Sequence, residues 1–298
     1  MQSPSANKDG LGILMYLAGV FFFAANDALG KWLVADFSVG EVLLLRSVGA
    51  VPVLLMVALV TRTSLTIHDQ YGLHVFRIIC QAVDSYCFYY ATRSMPLADV
   101  MTFYMAAPLI ITALSTLILR EKVRLFRWTA VSVGFIGVVI ALQPTGAAFA
   151  PAAIIALFGA TMFGLSIVIT RKLRGANWLP LVTWQFIGAG IIGAAASPIG
   201  WVTPDLTNLG LMFLVGIVAA ACFVLITKAL ALAPASLLAP FQYSAILWAA
   251  VMGWLVWHDM PTPHIILGNC VIIVSGLVIF WRERRIHVSV SDQVEPIP

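Results

Sequence analysis

The chain has 298 residues, of which 61% are hydrophobic and 10% charged, with a mean hydropathy of +0.98. Soluble domains carry about 25% charged residues, and 17 Lys and Arg with 13 Asp and Glu are too few to coat a water-facing surface of this size. Composition therefore excludes soluble enzymes and secreted scaffolds. The net charge of +4 is spread too thinly for nucleic-acid binding.

A bilayer core of about 30 Å takes around 20 apolar residues per helix. That ruler predicts ten spans, near 11–34, 38–60, 72–93, 97–119, 126–143, 151–170, 180–200, 208–230, 236–257 and 263–281. Pro96, Pro144, Pro151, Pro180, Pro234 and Pro263 punctuate their ends, where a missing N–H costs little. The short start at 1–10 and the polar tail at 282–298 leave no room for a soluble domain. Residues 11–25 do not read as a cleaved leader, because the apolar run continues into Asn26, Asp27 and Lys31.

Cytoplasmic loops carry the Lys and Arg excess of membrane proteins. With both termini inside, every Lys and Arg except Lys31, Arg46 and Arg93 falls on the cytoplasmic side. An even number of spans satisfies this, and one span more or fewer scrambles it. Cys80, Cys87, Cys222 and Cys270 all lie in apolar stretches without metal-ligand spacing, and read as small core residues.

Shifting the chain by 138 positions aligns Ser94–Glu121 with Leu232–Asp259 without a gap, bringing Pro96 onto Pro234, Phe103 onto Phe241 and Glu121 onto Asp259. The halves are then 11–143 and 151–281, five spans each, joined by an uncharged linker around Gln143–Pro151. Five is odd, so the second half enters the membrane upside down. The predicted fold is all-α and integral to the membrane, ten transmembrane helices in two inverted five-helix repeats. Inverted repeats of this kind build alternating-access carriers around a midplane site.

The stretch YATRSMPLADVMTFYMAAPLIITALSTLILRE (90–121) resembles the fourth-helix region of the EamA-type drug/metabolite transporter superfamily, with Pro96, Ala98, Pro108 and Glu121 at the pattern positions. FRWTAVSVGFIGVVIAL (126–142) is similar to the Gly-containing helix that follows, while WHDMP (257–261) departs from the pattern at the second acidic end. The resemblance implies a bacterial inner-membrane carrier of small organic metabolites. NDALGKWLV (26–34) with SVGEVLLLRS (38–47) further resembles a branch containing riboflavin and S-adenosylmethionine uptake transporters. It implies riboflavin uptake first, then S-adenosylmethionine uptake or export of amino acids or other metabolites.

Ionisable groups inside spans are costly, face the interior and tend to have partners. Asp27 and Lys31, four residues apart, either pair on one helix face beside Asn26 or act separately, with Lys31 reaching to the interface. Glu41 reads as interfacial. Arg46, nearly two turns deeper, either neutralises Asp27 or binds an anionic or carbonyl group of the substrate. Arg77, Gln81, Asp84, Ser85 and Phe88 share one helix face, with Arg77 near the cytoplasmic end as an anchor. Asp84 is the candidate for substrate hydrogen bonding or proton coupling, the bland alternative being an interhelical tie.

Aromatic faces at Tyr89, Phe103, Trp184, Phe241 and Trp248 and the amides of Gln81, Gln185 and Gln242 suit a flat heteroaromatic ligand. A phosphate-binding GxxxxGK[ST] loop, HExxH and GxSxG are all missing from the sequence. The expectations are therefore no enzyme activity, no cofactor and no metal, with a small-molecule substrate and the lipid bilayer as partners. The alternative of another class is a non-transporting membrane enzyme or assembly protein.

Overall fold

The computed structural model describes residues 4–67, 70–118, 125–142, 151–173, 177–232, 238, 241–242 and 244–291. Glu121, Pro144, Pro234, Tyr243, the linker at 143–150 and the loop cations Arg120, Lys122, Arg124 and Arg174 lie outside the described residues, as does the tail from 292. Among those described there are eleven α-helices and no strand. In chain order they are α1 (Pro4–Asp36), α2 (Val39–Thr61), α3 (Tyr71–Ser94), α4 (Leu97–Tyr104), α5 (Ala107–Ile118), α6 (Leu125–Leu142), α7 (Pro151–Lys172), α8 (Trp178–Ala196), α9 (Leu206–Leu232), α10 (Ser244–Trp257) and α11 (Pro263–Ser291).

Local chemistry sets several of these boundaries. Ser38 caps α2 by accepting a hydrogen bond from the Glu41 N–H at 3.2 Å, and Asn177 caps α8 by accepting from the Leu179 N–H at 3.1 Å. Arg62, with φ of 52°, ends α2 by donating its N–H to the Ala58 and Leu59 carbonyls. The fourth predicted span is two helices rather than one. Pro108 lacks the N–H that would continue the helical ladder, and the helix stops at Tyr104 and restarts at Ala107. At the other end of the chain, α11 continues through Arg282 to Ser291, beyond the predicted span end.

Among the described residues five helices are long and apolar enough to cross a membrane: Gly10–Asp36 of α1, α2, Pro151–Thr170 of α7, α8, and Leu206–Ala229 of α9. Ser244–Trp257 and Pro263–Ser275 are shorter apolar helices. The outside is greasy, with Leu206 85% exposed, Ile199 80%, Leu59 79% and Leu117 73%, whereas Asn26, Asp27, Arg77, Gln81 and Asp84 are buried. This is the polarity of a protein whose solvent is hydrocarbon.

Helix pairing repeats when the halves are exchanged. α1 packs on α9 as α7 packs on α3, α2 on α9 as α8 on α3, and α10 on α1 as α5 on α7. Three pairs map onto themselves: α2 with α8, α6 with α11, and α4 with α10. The crossings through the centre depend on missing side chains. A Cβ on Gly193 would lie 2.6 Å from the Leu44 nitrogen, and one on Gly216 would run into the Arg46 carbonyl oxygen. Small residues at such crossings let membrane helices approach backbone to backbone.

Two long-range contacts refine the sequence reading. Lys31 does not pair with Asp27. Its ammonium lies 3.3 Å from Asp259 and 4.5 Å from the centre of the Trp257 ring, which ties α1 to the turn after α10. This is the one ion pair among the described residues. Glu41, in the first turn of α2, is covered by protein, and its carboxylate accepts from the Val202 N–H of the loop before α9 at 3.2 Å.

Gly216→Ala should cost about 1–3 kcal/mol through overpacking against the α2 backbone. Gly210→Ala, with nothing within 4 Å of the new carbon, should change stability by under about 0.5 kcal/mol. Apparent melting temperatures of the two purified variants in detergent test this, and equal melting would contradict the close crossing. A double-mutant cycle of Lys31→Met and Asp259→Asn, read the same way, should give a coupling of about 1 kcal/mol.

Candidate functional site

The site is built outward from α3. Three and four residue steps put Arg77, Gln81, Asp84 and Phe88 on one face, and that face is turned inward against α7 and α8. Asp84 is the most elaborately held residue. Its Oδ1 accepts from the Tyr104 hydroxyl at 2.7 Å, and its Oδ2 from the Gln81 side-chain amide at 2.8 Å. The Gln81 carbonyl oxygen in turn accepts from the Ser166 hydroxyl of α7 at 2.7 Å. Ser85 donates to the Gln81 backbone carbonyl at 3.0 Å. A Ser166–Gln81–Asp84–Tyr104 chain therefore links α7, α3 and the end of α4, with neutral donors only on the carboxyl group.

Arg46 enters from α2. Its Nη1 donates to the Tyr89 hydroxyl at 2.8 Å, and its guanidinium carbon lies 5.2 Å from the Tyr89 ring centre and 5.5 Å from that of Phe186. Contact with aromatic faces suits a planar, weakly hydrated cation. The Nε of Arg46 is buried and has no hydrogen-bond partner. Asp27 is buried within electrostatic range of Arg46, yet the two form no ion pair, so the tight neutralising contact open to them in the sequence is not made. Asn26 donates to the Val215 carbonyl of α9 at 2.6 Å, while its Oδ1 is left buried and unpaired. Asp84 also lies within electrostatic range of both Asp27 and Arg46, which joins the two halves of the cluster. Asp27, Arg46, Asp84, Tyr89 and Tyr104 thus come together from α1 to α4 and face α7, α8 and α9.

Of the other residues singled out in the sequence, Phe103 shares the buried core cluster of Phe88 and Tyr89. Trp184 is exposed and donates its indole N–H to the Leu65 carbonyl in the loop before α3 at 2.9 Å, which assigns it to that loop contact. Gln185 beside it is half-buried, Phe241 is half-buried, and Gln242 is exposed in a single 3₁₀ turn. Trp248 of α10 packs edge-on against Phe21 at 4.9 Å, with its indole N–H buried and unpaired. Arg77 is no interfacial anchor: it is 4% exposed and donates to the Leu181 carbonyl of α8 at 2.7 Å. All four cysteines are free, but Cys270 is exposed and is not a core residue.

Two partners escaped the sequence reading of the site. Tyr104 is one aromatic residue within the 90–121 stretch, and Ser166 is an isolated hydroxyl in an apolar helix. Neither has a local pattern; each matters because folding brings it to α3. Among the described residues no group of three or more His, Cys, Asp or Glu is placed to hold a metal ion. What the cluster offers is an unequal set of charges, two carboxyls and one guanidinium, beside aromatic faces and unpaired polar atoms.

Comparison with known proteins agrees with a membrane carrier. An S-adenosylmethionine uptake transporter of Rickettsia bellii (strain RML369-C) is 23% identical over 276 residues, covering 92% of this chain and 95% of that protein. A riboflavin transporter of Rhizobium johnstonii (strain DSM 114642 / LMG 32736 / 3841) is 28% identical over 214 residues, 71% of each chain. A protein of known crystal structure, 14% identical, superposes with a TM-score of 0.64 over 89% of this chain and 95% of its own, a likeness of fold alone. The EamA-like transporter family model matches residues 10–143 and again residues 150–281. With both halves matched, this multi-pass membrane protein belongs to the EamA-like transporter family.

Proposed function

We propose that the chain is a secondary carrier of the bacterial inner membrane that takes up a small, positively charged organic metabolite by alternating access. Residues 11–143 and 151–281 act as two inverted five-helix repeats, ten spans in all, with the segments 1–10 and 282–298 in the cytoplasm. The exchange symmetry of the helix pairs supports a rocking motion of one repeat against the other. The alternation of basic loops supports the orientation.

The observation that carries the ligand class is the surplus of buried carboxyl groups. Asp27 and Asp84 lie within electrostatic range of a single guanidinium, Arg46, which forms an ion pair with neither, and Asp84 is held by neutral donors alone. A charged group in hydrocarbon is stable only with compensation, so such a cluster suits a cation, whether ligand or proton. S-adenosylmethionine carries a sulfonium and an ammonium group and fits this reading. Riboflavin, the ligand first implied by the resemblance, is neutral and leaves the carboxyl surplus unanswered. It keeps one point in its favour, the aromatic wall of Phe88, Tyr89 and Tyr104, whose ring centres lie 5.3–5.5 Å apart in edge contacts.

Uptake of labelled S-adenosylmethionine and riboflavin into proteoliposomes containing only this chain, with and without a proton gradient, tests the proposal. Saturable S-adenosylmethionine uptake is the expected result. Riboflavin uptake without it would reverse the ligand assignment, and no flux of either, nor of amino acids, would favour the enzyme or assembly reading. Asp84→Asn should lower uptake by at least about tenfold at unchanged membrane abundance. Tyr104→Phe, which removes one of the two donors to Asp84, should have a smaller effect in the same assay.

A further inference from the structure

Arg46 is arranged as the receptor of something absent from the chain itself. One end of its guanidinium is fixed by the Tyr89 hydroxyl at 2.8 Å, and its faces rest near Tyr89 and Phe186. Yet its Nε is buried with no acceptor, and no carboxylate of a described residue lies within the 4.0 Å of an ion pair. Asp27 is 5% exposed and makes no hydrogen bond or ion pair with a described residue. The neighbouring Asn26 Oδ1, also buried, is a second acceptor without a donor. Buried polar groups are almost always paired in native proteins, so the Arg46 Nε and the Asn26 Oδ1 call for partners.

The chemistry of these groups specifies the ligand. The Nε and second Nη of a guanidinium present parallel donors that match the two oxygens of a carboxylate. Asp27 with Asn26 presents acceptors that match an ammonium group. The Arg46 guanidinium and the Asp27 carboxyl lie within electrostatic range without forming an ion pair, and a group bearing both charges side by side would answer both. An α-amino acid head has that arrangement.

We propose that Arg46 and Asp27 recognise the α-amino-acid end of the transported metabolite, with Arg46 taking the carboxylate, Asp27 and Asn26 the ammonium, and the rest of the molecule extending toward Asp84. This rests on the carrier reading above and narrows its ligand to α-amino acid derivatives. Tyr89 is a positioning residue, since it reaches the ligand only through Arg46. Gly30 belongs to the same device, because a Cβ there would run into the Tyr89 ring.

The test is competition in proteoliposomes containing the full chain, with labelled S-adenosylmethionine as the transported probe. Unlabelled S-adenosylmethionine should compete at least about tenfold better than its decarboxylated form, which keeps the sulfonium and amine but lacks the carboxylate. In Arg46→Gln the two competitors should become equal to within about twofold, through loss of affinity for the carboxylated one. Arg46→Lys, which keeps the charge but not the fork, should fall between. Equal competition in the unaltered protein overturns the inference while leaving the carrier reading intact, and this comparison needs no variant to fold. A loss of affinity in Arg46→Gln that is the same for both competitors also overturns it. Absence of S-adenosylmethionine uptake altogether overturns the ligand assignment above and this subsite with it.

Discussion

A helix that carries Arg77, Gln81 and Asp84 on one face cannot turn that face to hydrocarbon, and much of the molecule follows from this. Each of the three groups must be buried against protein and must find a partner there. Arg77 finds the Leu181 carbonyl on α8, Gln81 the Ser166 hydroxyl on α7, and Asp84 the Tyr104 hydroxyl at the end of α4. The polar stripe of α3 thereby sets which helices must surround it. Two of them, α7 and α8, belong to the other half of the chain. Ordinary apolar packing gives no such address in lipid, because tails and leucines are equally greasy.

The same centre is tightened where backbones meet. α2 crosses α8 at Gly193 and α9 at Gly216, in both cases without room for a side chain. Arg46 sits at the second crossing, on a first-half helix that packs against two second-half helices, α8 and α9. Its side chain therefore starts from a rigid place and ends on Tyr89 of α3. Precise placement of a single cation is what a binding subsite needs, and rigid supporting elements supply it.

The amino-acid sequence made the membrane class, the repeat and the α3 face legible, because each is a local or periodic signal. Apolar length marks a multi-pass membrane protein, self-alignment marks two copies of one unit, and spacing puts Gln81 and Asp84 together. Partnerships between distant residues left no such trace. Lys31 had an acidic residue four positions away, and the sequence left pairing with Asp27 open beside a reach to the interface, yet Lys31 meets Asp259 of the second half. Trp184 and Gln242 looked central from composition, but aromatic and amide side chains serve loops as readily as interiors. Glu41 sat at a span end and read as interfacial. The chain entering α9 folds over it and supplies the Val202 N–H.

The interruption of the fourth span places a joint directly beneath the most constrained carboxyl group in the molecule. Tyr104 is the last residue of α4, and the next regular turn begins only at Ala107. α4 leans on α10 and α7, while α5 leans on α7 and α6, so the pieces are anchored to partly different neighbours. A flexion at Met105–Ala106 would swing the phenol about its own helix end and lengthen or shorten its bond to Asp84. One hydroxyl thus ties the α3 carboxyl group to the end of α4, at the point where the helical ladder is interrupted.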